Sequence, residues 1–428
     1  MEQTQLATDK RFLGWGRYEF GLVVWFFLAW GFIFLDRLTI SFLAPLVMGD
    51  LQLSTMQYSL IGTATTGCFA VSSIVFGAIS DNSGVRKKWL IPFVLATAVF
   101  SALGAVTNSF GTLILDRALV GFCEGPIISL MMAMIAKEST PNRLALNAGI
   151  INTGVAVIAV AIGPIFVTQV AAGGNWRLAF LLASIPAFIL GLLMMKFVRE
   201  VRFETTRDAS GKKESALKSL GKMLKYRNVI ICFVVGILTM VGYWNMMLYA
   251  SLFFSTVGGR ELTSVGAILS MMGVLGIIWT IVVPKLSDGI GRKPALVIWF
   301  AVASLAPFIM FGAPTSFGAV IIYCLVAGIP GSIFPICYSV IPAETLPTNL
   351  IGTAGGLIIG VAEILGGSAW PVISGVVATN SGLPTLMVTG GICYLIALVL
   401  CLALKETHGK EKRQEIKDAK KAAKESAA

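Results

Sequence analysis

The sequence predicts an all-α membrane protein: twelve transmembrane helices in two pseudo-symmetric six-helix bundles, with both termini on the cytoplasmic side. Three observations predict it. Of 428 residues, 56% are hydrophobic and 13% charged, about half the charged share of a soluble chain. The apolar residues gather into runs of about twenty or more, the length a helix needs to cross some 30 Å of hydrocarbon. Landmarks in the first half recur about 206 residues later in the second.

The spans read as 20–47, 57–80, 89–108, 111–136, 146–172, 176–197, 228–256, 264–286, 294–313, 316–341, 351–379 and 383–404, each break carrying Gly, Pro or charge. Lys and Arg set the orientation. Lys10, Arg11 and Arg17 precede the first span, Arg86, Lys87 and Lys88 follow the second, and Lys137 and Arg143 follow the fourth. Ten basic residues run from Lys196 to Arg227, Lys285, Arg292 and Lys293 surround the end of the eighth span, and eight more lie in the tail from Lys405. The opposite side has only Arg177 and Arg260. The expected organisation is a cytoplasmic segment 1–19, a bundle 20–197, a basic cytoplasmic linker 198–227, a second bundle 228–404 and a charged tail 405–428. The linker carries a surface or solvated helix over Glu214–Tyr226, and the tail a frayed helix.

The net charge of +11 follows from this topology, not from nucleic-acid binding. The seven cysteines all sit inside apolar runs, with no pairing or metal-ligand spacing beside the lone His408. They read as packing residues, and no metal or cofactor is expected. The first apolar run is too long for the core of a cleavable signal. No Ser-His-Asp set or phosphate loop falls within the spans, which argues against an enzyme.

The repeat is explicit at two places. GAISDNSGVRKK (Gly77 to Lys88) follows the second span and PKLSDGIGRKP (Pro284 to Pro294) the eighth, so Asp81 and Asp288 correspond. ESTPNRLALNAG (Glu138 to Gly149) follows the fourth and ETLPTNLIGTAGG (Glu344 to Gly356) the tenth, so Pro141 and Pro347 correspond. These loops resemble the signature loops of the major facilitator superfamily over nearly the whole chain. The resemblance implies a cytoplasmic gate motif at Gly77, Asp81, Gly84, Arg86, Asp288, Gly291 and Arg292, and a central site opening alternately to each side. Asn82 and Gly289 stand where that family often has Arg, which implies a thinner charge network.

The charges inside the apolar runs carry the chemistry. Asp36 and Arg37 lie in the first span, Asp116, Arg117 and Glu124 in the fourth, and Glu363 in the eleventh. Each costs roughly 2.5–3.5 kcal/mol at bilayer depth on insertion scales, and such residues usually mark a pathway. Arg117, Gly121, Glu124 and Ile128 share one helix face, with Gly121 leaving space for a substrate or a close helix and Pro126 able to kink the helix. In this reading Arg37 and Arg117 hold an anionic group, planar guanidinium matching carboxylate. Asp36 and Glu124 load and release protons, since burial favours the neutral acid and a nearby Arg the charged one. The competing structural reading is two static salt bridges fastening helices one and four. The Asp-Arg pair together with RALVGFCE (Arg117 to Glu124) resembles the anion:cation symporter branch of the superfamily, which implies proton coupling at the two acids and substrate binding at the two arginines.

Further candidates for substrate contact are Tyr243 and Asn245 in GYWNMMLY, against a lipid-interface aromatic belt, and Glu363 in its glycine-rich surroundings, against a structural hydrogen bond. Gly154, Gly163 and Pro164 partly resemble the motif of drug antiporters, without its closing double glycine, and read as helix-packing residues. The expected function is proton-coupled uptake of a small organic anion, such as a sugar acid or other carboxylate, by a monomer in the cell membrane. The proton is then the coupling ion. The alternatives are proton-coupled drug export, or a non-transporting sensor.

Overall fold

The computed structural model describes residues 16–140, 143–201, 221–312 and 316–408. Lys10 and Arg11, the Pro141 landmark, most of the expected linker helix and the tail beyond 408 lie outside the described residues, as do the side chains of Asp81 and Asn82. Among the described residues, eleven helices are long and apolar enough to cross a bilayer: α1 Arg17–Phe42, α2 Thr55–Gly77, α3 Lys87–Val106, α4 Phe110–Glu138, α5 Leu146–Val170, α6 Trp176–Phe197, α7 Arg227–Thr256, α8 Leu262–Ile290, α9 Arg292–Phe311, α10 Phe317–Thr345 and α11 Ala354–Leu402. The first span ends earlier than the apolar pattern suggests, because a separate short helix, Ala44–Asp50, starts with a proline in its first turn that cannot continue α1. Helix α11 is 49 residues long, about 74 Å at 1.5 Å per residue. Its backbone leaves helical geometry at Gly382 (φ 83°, ψ 162°), two residues before Pro384.

Val71, Ile74, Leu115, Ile281 and Val399 are 60–67% exposed, whereas Asp36, Arg117 and Glu124 are 0% exposed. Apolar side chains outside and charges inside reverse the order found in water. This is a multi-pass membrane protein.

The described residues form two compact units. The first holds those within Met1–Gly211, Leu248–Val274 and Pro371–Asn380, the second those within Lys212–Met247, Leu275–Trp370 and Ser381–Ala428. In the first unit Phe26, Val94, Met131 and Ala187 bring α1, α3, α4 and α6 into one apolar core. Glycines set the closest crossings: a Cβ on Gly121 would strike the Thr65 carbonyl of α2, and one on Gly154 the Phe27 carbonyl of α1. Small residues allow this approach where hydrocarbon offers helices no hydrophobic drive to associate. The Tyr58 hydroxyl donates to the Leu248 carbonyl at 2.8 Å and Ser251 to that of Phe42 at 2.6 Å, which ties the end of α7 to this unit. In the second unit Gly242 and Gly366 play the spacing role, against Tyr394 and Met240.

Helix ends follow side-chain rules. Ser54 with Gln57 and Ser109 with Thr112 form reciprocal capping pairs at the starts of α2 and α4, and Asn175 caps α6. At α3 and α9 the cap comes from far along the chain. The Glu200 carboxylate accepts the backbone N–H groups of Arg86, Lys87 and Lys88 at 2.8, 2.8 and 2.9 Å. The Glu406 carboxylate accepts those of Arg292 and Lys293 at 2.8 and 3.1 Å. A negative charge there satisfies orphan donors and the helix dipole together. The turns leading in need left-handed backbone, supplied by Gly84 (φ 66°) and Gly291 (φ 109°).

Candidate functional site

Five buried charges of the first unit meet where α1 and α4 face each other. Arg37 Nη1 lies 3.4 Å from Glu124 Oε1, and its Nη2 donates to Thr66 Oγ1 of α2 at 3.2 Å. The guanidinium sits against Phe34 and Phe69, 5.5 and 4.8 Å from their ring centroids, a placement that favours a cation. A charge-assisted N–H···O bond normally closes to about 2.7–2.9 Å, so this ion pair is loosely held. Arg117 differs. Its Nε donates to Asp116 Oδ2 at 2.8 Å, and Nη2 lies 2.8 Å from the same oxygen. Its Nη1 donates to the backbone carbonyl of Asp36 at 3.4 Å, and Phe180 of α6 covers it at 5.0 Å. Neither carboxylate oxygen of Asp36 has a hydrogen-bond partner; Ser101 of α3, Arg117 and Glu124 are the polar groups around it.

The four residues singled out in these two spans are thus brought together, but paired otherwise than helix faces suggest. Asp116 takes Arg117, although consecutive residues on a helix point about 100° apart; the arginine is long enough to fold back. Thr66, Phe69, Ser101 and Phe180 carry no charge and left no signal in the pattern. The space beside Gly121 is filled by the α2 backbone. Asp36, Arg117 and Glu124 are 0% exposed and Arg37 is 5% exposed, so all four face protein and none faces lipid. With every group ionised, three carboxylates and two guanidiniums leave one net negative charge.

In the second unit Asn245 is buried and its Nδ2 donates to Thr389 Oγ1 at 3.4 Å, while Tyr243 is half-buried with its ring edge-on to Trp244. The Glu363 carboxylate and the Trp244 indole nitrogen both approach Gly367, on the next turn of α11. Glu363 opens a π-helical stretch, Glu363–Ala369, and α5 contains another, Val155–Ile162. Their starts are 208 residues apart, so the repeat includes this wider winding, which is frequent at functional sites. Of the gate-motif residues, Arg86 donates from Nη1 to the Ser80 carbonyl. Arg292 binds Asp288 Oδ1 at 2.6 Å, Ser287 Oγ at 3.0 Å and Glu344 Oε1 at 2.9 Å. The charge network in this loop is therefore built despite Gly289. Gly154 and Gly163 pack against Phe27 and Leu35 of α1, as helix-spacing residues do.

Residues 26–371 match the family model described as Major Facilitator Superfamily. A hexuronate transporter of Bacillus subtilis (strain 168) is 25% identical over 407 residues, 91% of this chain and 95% of that protein. A galacturonate transporter of Dickeya chrysanthemi is 26% identical over 166 residues, 39% of this chain and 48% of that one. A solved structure of a bacterial homologue of the human lysosomal transporter Spinster, inward-facing and unoccupied, aligns with a TM-score of 0.76 at 15% identity, over 90% of this chain and 97% of the other. At that identity the likeness speaks for the fold alone.

Proposed function

The chain belongs to the major facilitator superfamily, and from that premise we propose that this transporter takes up a small organic monoanion, a hexuronate or related sugar acid, together with protons, by alternating access. The observation that carries the proposal is the buried cluster on α1 and α4, above all the Arg37–Glu124 pair at 3.4 Å. A carboxylate entering there competes with Glu124 for Arg37. Two carboxylates on one guanidinium repel in a low-dielectric site, and neutralising Glu124 with a proton removes the conflict. With all five groups ionised the cluster carries one net negative charge, so another anion is admitted only with compensating protons. Asp36, whose carboxylate oxygens are unpartnered, is the second proton carrier, and Arg117 supplies the second positive charge. Tyr243, Asn245 and Glu363 are assigned to the substrate's hydroxyls.

In this reading α11 crosses twice, turning at Gly382, which makes twelve spans with both termini cytoplasmic. The protein works as a monomer in the cell membrane, and its two homologous bundles are joined by the basic linker. The relatives named for hexuronate and galacturonate support the substrate class. The test is a thermal-shift screen of the purified full chain against hexuronates, aromatic carboxylates and lipophilic cations, at an acidic and at a neutral pH. Stabilisation by hexuronates is expected, with a pH dependence. A response to cations and to no acid would replace this reading with drug export.

A further inference from the structure

The pairing of Arg117 with its own neighbour is chemically wasteful unless it serves something else. Asp36 lies alongside, within reach of the same guanidinium, and a buried carboxylate is costly unless paired. The guanidinium nonetheless makes its side-chain hydrogen bond to Asp116, whose Oδ2 accepts Nε at 2.8 Å and lies 2.8 Å from Nη2, while Nη1 donates to the Asp36 backbone carbonyl and neither carboxylate oxygen of Asp36 takes a hydrogen bond. Two more elements fit this arrangement. A Cβ on Gly104, at the end of α3, would stand 2.9 Å from Arg117 Nη2, 3.2 Å from Asp116 Oδ2 and 2.8 Å from Phe180 Cδ1; the Phe180 ring centroid lies 5.0 Å from the guanidinium carbon. The guanidinium has a built seat.

We propose that Asp116 is a positioning residue that holds the Arg117 guanidinium off the Asp36 side chain and so keeps the Asp36 carboxyl able to take up a proton. The charged groups around Asp36 are few. Arg117 and Glu124 face it from α4, Asp116 acts through Arg117, and Arg37 adjoins it on α1. The spans α2 and α5 contain no charged residue, as do the stretches 248–256 and 262–274. In α3 only Lys87 and Lys88, at its start, are charged; in α6 Arg177 is paired with Asp50 at 2.6 Å and Lys196 lies at the far end. If Asp116 loses its charge, Arg117 is free to turn onto Asp36 and favour its ionised form. The inference rests on Asp36 being a proton carrier, as the proposed function states.

The test measures uptake of radiolabelled D-galacturonate into proteoliposomes across external pH, for wild type, Asp36→Asn, Asp116→Asn and Asp116→Glu. Asp116→Asn is expected to need up to about one to three pH units more acid for half-maximal uptake, the size of effect an opposite charge in direct contact produces. Asp116→Glu, which retains a carboxylate for the guanidinium, is expected to follow the wild-type profile. In an Asp36→Asn background, read by exchange of labelled for unlabelled galacturonate, Asp116→Asn is expected to shift nothing further. An Asp116→Asn profile that overlays wild type overturns the inference, as does a displaced Asp116→Glu profile or a shift that persists without Asp36. Should Asp116→Asn not reach the membrane, Asp116→Ser, which also removes the charge, is read by the same criteria. Absence of galacturonate uptake by wild type, or uptake indifferent to pH, would instead defeat the proposed function. A pH-dependent wild type, an altered Asp36→Asn and an unmoved Asp116→Asn would defeat this inference alone.

Discussion

Glu200 and Glu406 stand 206 residues apart, and each turns back onto the start of a helix, α3 in one half of the chain and α9 in the other. The π-helical stretches of α5 and α11 keep nearly the same offset. The buried charges do not. Moved by 207 residues, Asp36 and Arg37 become Tyr243 and Trp244; moved by 206, Arg117 and Glu124 become Tyr323 and Pro330. The two halves share the carboxylate caps and the π-helical stretches of α5 and α11, while the second half has Glu363 as its charge inside a span, without a counterpart of the α1–α4 cluster. Structural needs were common to both copies. The cluster of buried ion pairs lies in one half, and the proposed function accordingly looks for coupling in the first half and for substrate hydroxyl contacts in the second.

The largest effect expected from breaking that asymmetry is at Arg37. Arg37→Ala removes the anion's partner and leaves Glu124 without its ion pair, a loss of about 2–5 kcal/mol or upward of about 30-fold in affinity, read by titrating substrate against the purified protein. Next come the acids. Glu124→Gln and Asp36→Asn are expected to abolish accumulation under a proton gradient while sparing exchange of labelled for unlabelled substrate, because the anion site survives and the proton does not. Glu363→Gln in the second half is expected to raise KM by up to about tenfold, the scale of one hydrogen bond of about 0.5–1.5 kcal/mol, with the accumulation ratio intact. Glu363→Gln that uncoupled transport would move coupling into the second half and undo the comparison. Smallest are the caps. Glu200→Gln and Glu406→Gln are each expected to lower stability by about 1 kcal/mol, equally in the two halves, measured by thermal unfolding in detergent.

The sequence made the scaffold readable because a bilayer imposes length and charge rules that survive without knowledge of contacts: runs of about twenty apolar residues, basic loops on one side, and glycines at repeated loops. Asp36, Arg37, Arg117 and Glu124 were conspicuous for the same reason, since an ionised side chain in hydrocarbon is costly. What stayed hidden depends on which neutral helix lies opposite. Thr66, Phe69 and Ser101 look like any other span residues, and only packing brings α2 and α3 to the cluster. Asp116 was misleading in a different way, because consecutive residues diverge on a helix and Arg117 overcomes this by its length. The Glu200 and Glu406 caps could have been found from their common offset, but a carboxylate after a span reads as loop charge until its partner helix is in place. Pro45 was visible, and its power to end α1 at Phe42 was outweighed in the apolar pattern by the residues beyond it.

The most direct test of charge sharing between substrate and proton uses proteoliposomes containing the full chain, an inside-acting pH dye and an inward proton gradient. On addition of D-galacturonate, the interior is expected to acidify as labelled substrate accumulates above its external concentration, both being lost in Glu124→Gln. Accumulation by wild type with no proton entry, or proton entry that continues undiminished in Glu124→Gln, would contradict the account.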